Sequence, residues 1–408
     1  MNTRGARRLY FDYAASTPVD PRVERGMRPY FLKQFGNPGS LHGFGQEAIA
    51  AVDASRETLA RLIGADFREV IFTGSATEAN NLGLRGVVHA WNGQRERSGK
   101  AGHADTQPRV IVSAIEHESV LETAHDLERE GVEVVYLPVS RAGIVDLGAL
   151  RRALNERTVA VSIMYANNEI GTIQPVTEIA AIIADFKKSV GSTARYPLFH
   201  TDAVQAFQFL DCNVGTLGVD MMTLSAHKIY GPKGIGLFYA KNATTKSSSI
   251  VKGEITGGGQ EFGLRSGTEN VPLIVGFATA AEIALAMQEK ETKRVAAVRD
   301  HLFKNIKKIF PTAEINGGAG EPTGTTLPNF LNVYIPGHAA EDMVVKLDLK
   351  GVAVSAGSAC RSRALQSSYV IEALGYSKER ARSSIRFSLG RQTDKAEVVK
   401  LFRELIGI

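Results

Sequence analysis

Lys228 stands in Ser225-Ala226-His227-Lys228-Ile229-Tyr230-Gly231-Pro232-Lys233-Gly234, between an apolar run at 221–224 and another at 235–239. The glycines and the proline forbid regular structure between the two runs, so the lysine belongs at a strand end on a hard turn. A lysine amine forms Schiff bases with carbonyl cofactors once burial or neighbouring charge leaves it unprotonated. The small Ser225 and Ala226 let such a cofactor approach closely. The competing reading is a solvated lysine in a glycine-rich loop, and the other strand ends decide between the two.

Apolar runs of strand length recur at 70–72, 110–113, 132–136, 159–164, 198–201 and 221–224, separated by segments of helical spacing. That alternation predicts a parallel α/β sheet, whose ligands bind at the carboxyl ends of the strands. After the first strand, Thr73-Gly74-Ser75-Ala76-Thr77-Glu78 is a small-residue turn opening a helix. Its free amides, its dipole and the Thr77 hydroxyl suit a phosphate, with an ordinary capped helix as the alternative. Glu116-His117-Glu118-Ser119 sets a histidine at the next helix start, where histidine is often structural. Asn168 and Gln205 offer amides after two later strands. Asp202 ends a buried strand, where a carboxylate needs a cationic partner such as a protonated pyridine nitrogen. Phosphate donors, a ring-sized histidine, a ring-nitrogen carboxylate and a Schiff-base lysine together describe a site for pyridoxal phosphate.

Beyond Lys228, Gly257-Gly258-Gly259 and Arg265-Ser266-Gly267-Thr268 form a glycine-rich loop with hydroxyls that could close over a phosphate or serve as a plain turn. A long helix, about 271 to 309, leads into a second region, and the domain change is placed near Gln288. There, seven of the ten residues from Ser355 to Ala364 are Ser, Ala or Gly, so the segment is expected to be mobile and Cys360 accessible. Arg361 and Arg363 beside it favour the thiolate, the nucleophilic form. Cys212 has no such context and reads as structural. Arg386, on an alternating run at 383–389, can clamp a carboxylate with two hydrogen bonds, a surface salt bridge being the plainer role. Asn37, in Phe35-Gly36-Asn37-Pro38-Gly39-Ser40, either hydrogen-bonds a ligand or forms a turn.

A chain of 408 residues suits two domains with room for a buried cofactor. Two cysteines exclude a disulfide framework and an all-cysteine metal site, and no metal is expected. The net charge of +5, from 48 basic and 43 acidic residues, serves solubility. Its basic clusters, at 4–8 and 95–100, lack interleaved aromatics, so direct nucleic-acid binding is not expected. The stretch 271–287 is broken by Pro272, Thr279 and Glu282 and makes a poor membrane span. With no apolar signal region at the start, the expected location is the cytoplasm.

The motifs Gly36-Asn37-Pro38, Ala76-Thr77-Glu78, Glu116-His117, Asn167-Asn168-Glu169-Ile170-Gly171, Asp202-Ala203-Val204-Gln205, Ser225-Ala226-His227-Lys228, Arg265-Ser266-Gly267-Thr268 and Gly357-Ser358-Ala359-Cys360 occur in one order along nearly the whole chain. In that combination the chain resembles the cysteine desulfurases of the NifS/IscS type, within the class-V aminotransferase family. The resemblance implies the type I fold of pyridoxal phosphate enzymes: an α/β large domain, 20–288, with a mainly parallel seven-stranded sheet, and a smaller α+β domain, 1–19 and 289–408. The smaller domain would carry the cysteine loop at about 355–368. It implies Lys228, Cys360 and His117 as catalytic residues: Lys228 carrying pyridoxal phosphate, His117 stacking on its ring. Asp202 would pair with the ring nitrogen, and Asn168 and Gln205 would contact the phenolic oxygen. The phosphate site maps to Ala76, Thr77, Ser225 and His227, with Thr268 from the second subunit of a homodimer. Arg386, with Asn37, would hold the carboxylate of L-cysteine. The products would be L-alanine and a persulfide on Cys360, carried to a sulfur-acceptor protein, either a scaffold or a sulfurtransferase. The resemblance leaves the pathway served open among iron–sulfur cluster assembly, tRNA thiolation, and cofactor or DNA sulfur modification.

The chain departs from the family pattern in places. Arg361, Arg363, Gln366 and Ser367 stand where small or hydroxyl residues usually lead to Leu-Glu-Pro-Ser, and the 92–108 segment is an insert, expected as a surface loop. The chain stops at Ile408 without the longer tail by which housekeeping members dock an iron–sulfur scaffold. A selenocysteine lyase or another enzyme of the same fold is the nearest rival, and a non-catalytic docking platform for sulfur-transfer partners is the rival of another class. A nucleotide site would need a full phosphate-loop pattern, which neither glycine-rich run supplies.

Overall fold

The computed structural model describes residues 8–97, 107–191, 194–242, 250–318, 325–357 and 367–406. A short strand β1 (Leu9–Tyr10) leads through an extended segment to helices α1 (Pro21–Met27), α2 (Pro29–Leu32) and α3 (Gly43–Ile63). From β2 (Val70–Thr73) the chain alternates: α4 (Ala76–Arg97), β3 (Arg109–Ser113), α5 (Glu118–Arg129), β4 (Glu133–Leu137), α6 (Leu147–Ala153), β5 (Thr158–Ser162), α7 (Val176–Val190), β6 (Leu198–Asp202), α8 (Val214–Leu217), β7 (Met221–Ser225) and β8 (Gly236–Ala240). These strands form one seven-stranded sheet in the order β2-β8-β7-β6-β5-β3-β4. Only β8 runs against its neighbours, β2 and β7. Every residue of β5, β6 and β7 is buried, as strands rich in apolar residues become when helices cover both faces of a parallel sheet.

Helix α9 (Val271–Ile309) then crosses from one core to the other. Its side chains from Val271 to Ala284 pack in the core under the large sheet, and those from Val295 to Ile306 pack in a second core with Leu9, Phe11 and Phe387. By length and composition this helix could cross a membrane. Its apolar stripe is instead covered by α3, α1 and the last helix of the chain. The second core holds β9 (Glu314–Ile315), β10 (Phe330–Tyr334), α10 (Ala340–Leu349), β11 (Val352–Ala353), α11 (Tyr369–Ala373), α12 (Lys378–Arg382), β12 (Ser384–Ser388) and α13 (Lys395–Leu405). An antiparallel sheet β12-β10-β9 lies at its centre, and β1 pairs in parallel with β11. The N-terminus is thus stitched into the second core before the chain enters the first.

Two local expectations are corrected. The apolar residues at helical spacing from Glu47 to Ile63 predict a helix over those positions, and it starts earlier, at Gly43, because His42 caps it by accepting the Gly45 amide. Gly43 and Gly45 hide that start from a propensity reading, yet a Cβ at Gly45 would stand 2.1 Å from the Ser40 carbonyl oxygen, so close packing requires glycine there. The 92–108 insert is not all loop: α4 continues to Arg97 through the helix formers Gln94-Arg95-Glu96-Arg97, with Arg95 stacked 4.7 Å over Trp91. Residues 98–106 of the insert lie outside the described residues.

Candidate active site

Strand ends β2, β3, β5, β6 and β7 converge on a cavity of about 340 Å³ beside the second core. Lys228 enters it from the last residue of a 3-10 turn, Ala226–Lys228, that follows β7 directly. The turn is braced hard. Tyr230 holds a positive φ of 67°, costly for a side chain with a Cβ, and its amide donates to Thr17 Oγ1 while its hydroxyl accepts the Arg391 amide. The Lys228 amine is half-buried and donates to the carbonyls of Ala14 and Ala15, at 2.5 and 2.9 Å. A solvated loop lysine would have neither contact.

At the opposite side of the cavity Asp202, 6% exposed, ends β6. Its carboxylate accepts the Val204 amide at 3.0 Å and the Asn80 side-chain amide at 2.8 Å. His117 caps α5, its Nδ1 accepting the Ser119 amide at 3.1 Å. Burial first, and then the nearby Lys228, holds the His117 imidazole below the ordinary histidine range, with Asp202 and Glu118 opposing. Beneath Asp202, His200 bridges Ser162 and Thr223 with no exposure, and burial lowers its pKa to about 4.

The end of the cavity suited to a phosphate is built where β2 turns into α4. Ser75 Oγ caps the helix by accepting the Glu78 amide. The first amides of α4, at Ala76 and Thr77, have no intrahelical partner and line the cavity with Ser225 and His227. Strand β8 presses against this turn: a Cβ on Gly236 would stand 2.5 Å from the Ser75 carbonyl carbon, so only glycine lets the turn sit there. Burial, then Lys228 and Lys233, lowers the His227 pKa to about 4.

The cavity fits pyridoxal phosphate by its donors and by what is left unpaired. Among the described hydrogen bonds, the buried Asn168 Oδ1 and Arg386 Nε have no partner, and both residues line the cavity. Arg386 is 2% exposed; it donates to Asp12 Oδ1 at 2.7 Å and to the Asn168 carbonyl at 2.8 Å. Its plain alternative, a surface salt bridge, is excluded. Gln205 reaches the cavity too, its amide donating to Ala14 O at 3.1 Å.

Ala76, Thr77, His117, Asn168, Asp202, Gln205, Ser225, His227, Lys228 and Arg386 are therefore brought together as expected from the sequence. Asn37 is not: it lines a separate groove of about 360 Å³ together with Thr268, which the resemblance assigns to a second subunit's site, and its Oδ1 accepts the Gly39 amide as a turn-forming asparagine does. Cys360, Arg361 and Arg363 lie outside the described residues. Cys212 is buried in the large core, and burial pushes its thiol up.

Sequence reasoning missed the carbonyls of Ala14 and Ala15, Asp12, Asn80 and the role of Glu116. The Glu116 carboxyl has no exposure; it accepts Ser113 Oγ and the Met164 amide, and burial raises its pKa to about 8. In the unfolded chain the group ionises at its ordinary value, 4.5. Between those pH values unfolding releases a proton that the fold retains. The contribution to stability is therefore intact below 4.5 and is lost as pH rises to about 8, by up to about 1.4 kcal/mol per unit. Glu116→Gln should match wild type in urea denaturation near pH 5 and exceed it near pH 8.5; a variant less stable at the higher pH would show a paired anion instead.

Comparison with known proteins agrees with this geometry. A profile of the Aminotransferase class-V family matches residues 9–401. A protein of Dictyoglomus turgidum named cysteine desulfurase IscS is 41% identical over 392 residues, 96% of this chain and 92% of its own length. One of Rickettsia peacockii with the same name is 42% identical over 391 residues, 96% of this chain and 88% of its own. Among solved structures, a NifS-like protein superposes with a TM-score of 0.84 at 35% identity, covering 98% of this chain and 99% of its own. A structure titled SspA in complex with cysteine gives 0.76 at 33% identity, covering 93% and 98%.

Proposed function

The chain belongs to the class-V aminotransferase family, and from that premise we propose that it works as a cysteine desulfurase, taking sulfur from L-cysteine and leaving L-alanine. The observation that carries the reading is the single cavity in which Lys228, Asp202, His117 and Arg386 face the amides at the start of α4. When bound, pyridoxal phosphate supplies a carbonyl for amines and a ring that accepts an electron pair from Cα. The Ala76 and Thr77 amides, the Thr77 and Ser225 hydroxyls and His227 would hold its phosphate, and Asp202 would hold its ring nitrogen. His117 would lie against the ring, and Asn168 and Gln205 would take the phenolic oxygen.

Arg386 binds the substrate carboxylate. Asp12 and the Asn168 carbonyl fix its plane, and the unpaired Nε is left for a ligand. Lys228 would take the proton from Cα and return it there before L-alanine leaves. The Cys360 thiolate attacks the substrate sulfur: the S–S bond forms, the Cβ–S bond breaks, and its electron pair stays on Cβ, which a proton converts to the alanine methyl. The persulfide on Cys360 passes to an acceptor protein.

The working form is a homodimer. Support comes from Thr268, which lies with Asn37 in a groove apart from the cavity of its own chain and is free to complete a partner's site. The exposed Phe31, Leu32, Phe35, Leu41 and Phe44 in the same stretch supply apolar surface for that contact.

Purified protein given L-cysteine and a thiol reductant should be yellow and release sulfide and alanine in equal amounts. Turnover of L-selenocysteine alone would make it a selenocysteine lyase, and a colourless, inert protein would make it a docking platform.

A further inference from the structure

Asp202 and His117 sit on different elements, yet one side chain touches the supports of both. Asn80, on the first turn but one of α4, has no exposure, and its Nδ2 lies 2.8 Å from Asp202 Oδ2 and 2.8 Å from Ser119 Oγ. A carboxylate only accepts, so the amide orientation is settled: both Nδ2 hydrogens are donated, one to each oxygen. Ser119 Oγ, having accepted from Asn80, lies 2.8 Å from His117 Nδ1, and the Ser119 backbone amide lies 3.1 Å from that same nitrogen. A backbone N–H cannot accept, so Nδ1 bears a lone pair and the ring proton is on Nε2. Protonating the ring would set an N–H against this amide, at the positive end of the twelve-residue α5, and both effects oppose imidazolium.

We propose that Asn80 and Ser119 are positioning residues of the cofactor site, a relay from Asp202 through Asn80 and Ser119 to His117 that fixes the carboxylate under the ring nitrogen and keeps His117 as the neutral Nε2–H tautomer. The proposal rests on the reading of Asp202 and His117 given above. Neither Asn80 nor Ser119 touches Arg386. Their loss therefore acts on the cofactor's seat and on turnover, not on recognition of the substrate carboxylate.

The test uses the full-length, cofactor-loaded protein with histidine ¹⁵N labelling, the His117 signal being assigned by its disappearance in His117→Gln. In wild type His117 shows the Nε2–H tautomer from pH 6 to 8. In Ser119→Ala and Asn80→Ala its protonation midpoint rises by about half a unit or more, since a hydrogen bond that favours the neutral ring is lost or loosened. Asn80→Ala also releases pyridoxal phosphate about tenfold faster and lowers kcat, with KM for L-cysteine kept within about threefold. Ser119→Thr, which retains the hydroxyl, restores wild-type values.

A wild-type His117 found as the Nδ1–H tautomer or as imidazolium at pH 7 overturns the relay. So do alanine variants with unchanged histidine titration and cofactor release. A wild-type protein that takes up no pyridoxal phosphate overturns the reading of the cavity instead, and the histidine spectrum then decides the relay by itself.

Discussion

Lys228→Arg and Lys228→Ala should both lose turnover of L-cysteine, by at least about 10³-fold, while retaining a cavity that still takes up pyridoxal phosphate. The pair separates two roles that one substitution would confound. Arginine keeps a positive charge near the Ala14 and Ala15 carbonyls, but it does not give up its proton in proteins. If Lys228 acted only as a fixed cation, the arginine variant would keep much of its activity. A residue that must first be displaced as a free amine and then take a proton from Cα tolerates neither change. Binding should survive because the phosphate seat is built by other elements: the α4 amides, Ser225 and the turn that Gly236 lets β8 press against. Size exclusion followed by absorption measures retention, and a single-turnover assay of alanine measures the chemistry. An arginine variant within tenfold of wild type would remove Lys228 from the proton transfer.

What the sequence made legible was local. Each strand and the residue that follows it are read from a few consecutive positions, and the parallel order then places the carboxyl ends on one edge, so Asp202, His117, Asn168 and Lys228 were recoverable without knowing any distance. The contacts that tune those residues join distant parts of the chain. Asp12 and Arg386 pair across 374 positions, Ala14 receives Lys228 across 214, and Asn80 meets Asp202 across 122. No periodicity registers such pairs. Asn80 in particular reads as an ordinary polar residue in a helix, although that helix packs on β5, β7 and β8 and buries it against Asp202 at the end of β6. Asn37 differs in kind: its local pattern allows a ligand or a turn, and its Oδ1 closes the turn by accepting the Gly39 amide.

Cys360 is the other residue whose replacement should abolish turnover. Both flanks of residues 358–366 are tied to cavity residues. On one side Ser355 exchanges backbone hydrogen bonds with Arg386, and on the other Ser368 Oγ donates to Glu169, the neighbour of Asn168, at 2.5 Å. Those flanking residues stand beside Arg386 and Asn168, which line the cavity. Cys360→Ala should therefore bind cofactor and L-cysteine as wild type does, with the spectral change on adding substrate retained, while sulfide and alanine fall to background together. Cys360→Ser should behave alike, because a hydroxyl is not ionised at neutral pH and is a poor acceptor of sulfur. Arg361 and Arg363 add a graded prediction: replacing both by alanine removes two cations beside the thiol, so the pH at which iodoacetamide labels Cys360 should move upward. Alanine produced at the wild-type rate by Cys360→Ala would show that sulfur leaves the substrate without a protein thiol, which is the chemistry of a lyase. Loss of both products with substrate still bound leaves the persulfide as the only exit for the sulfur atom.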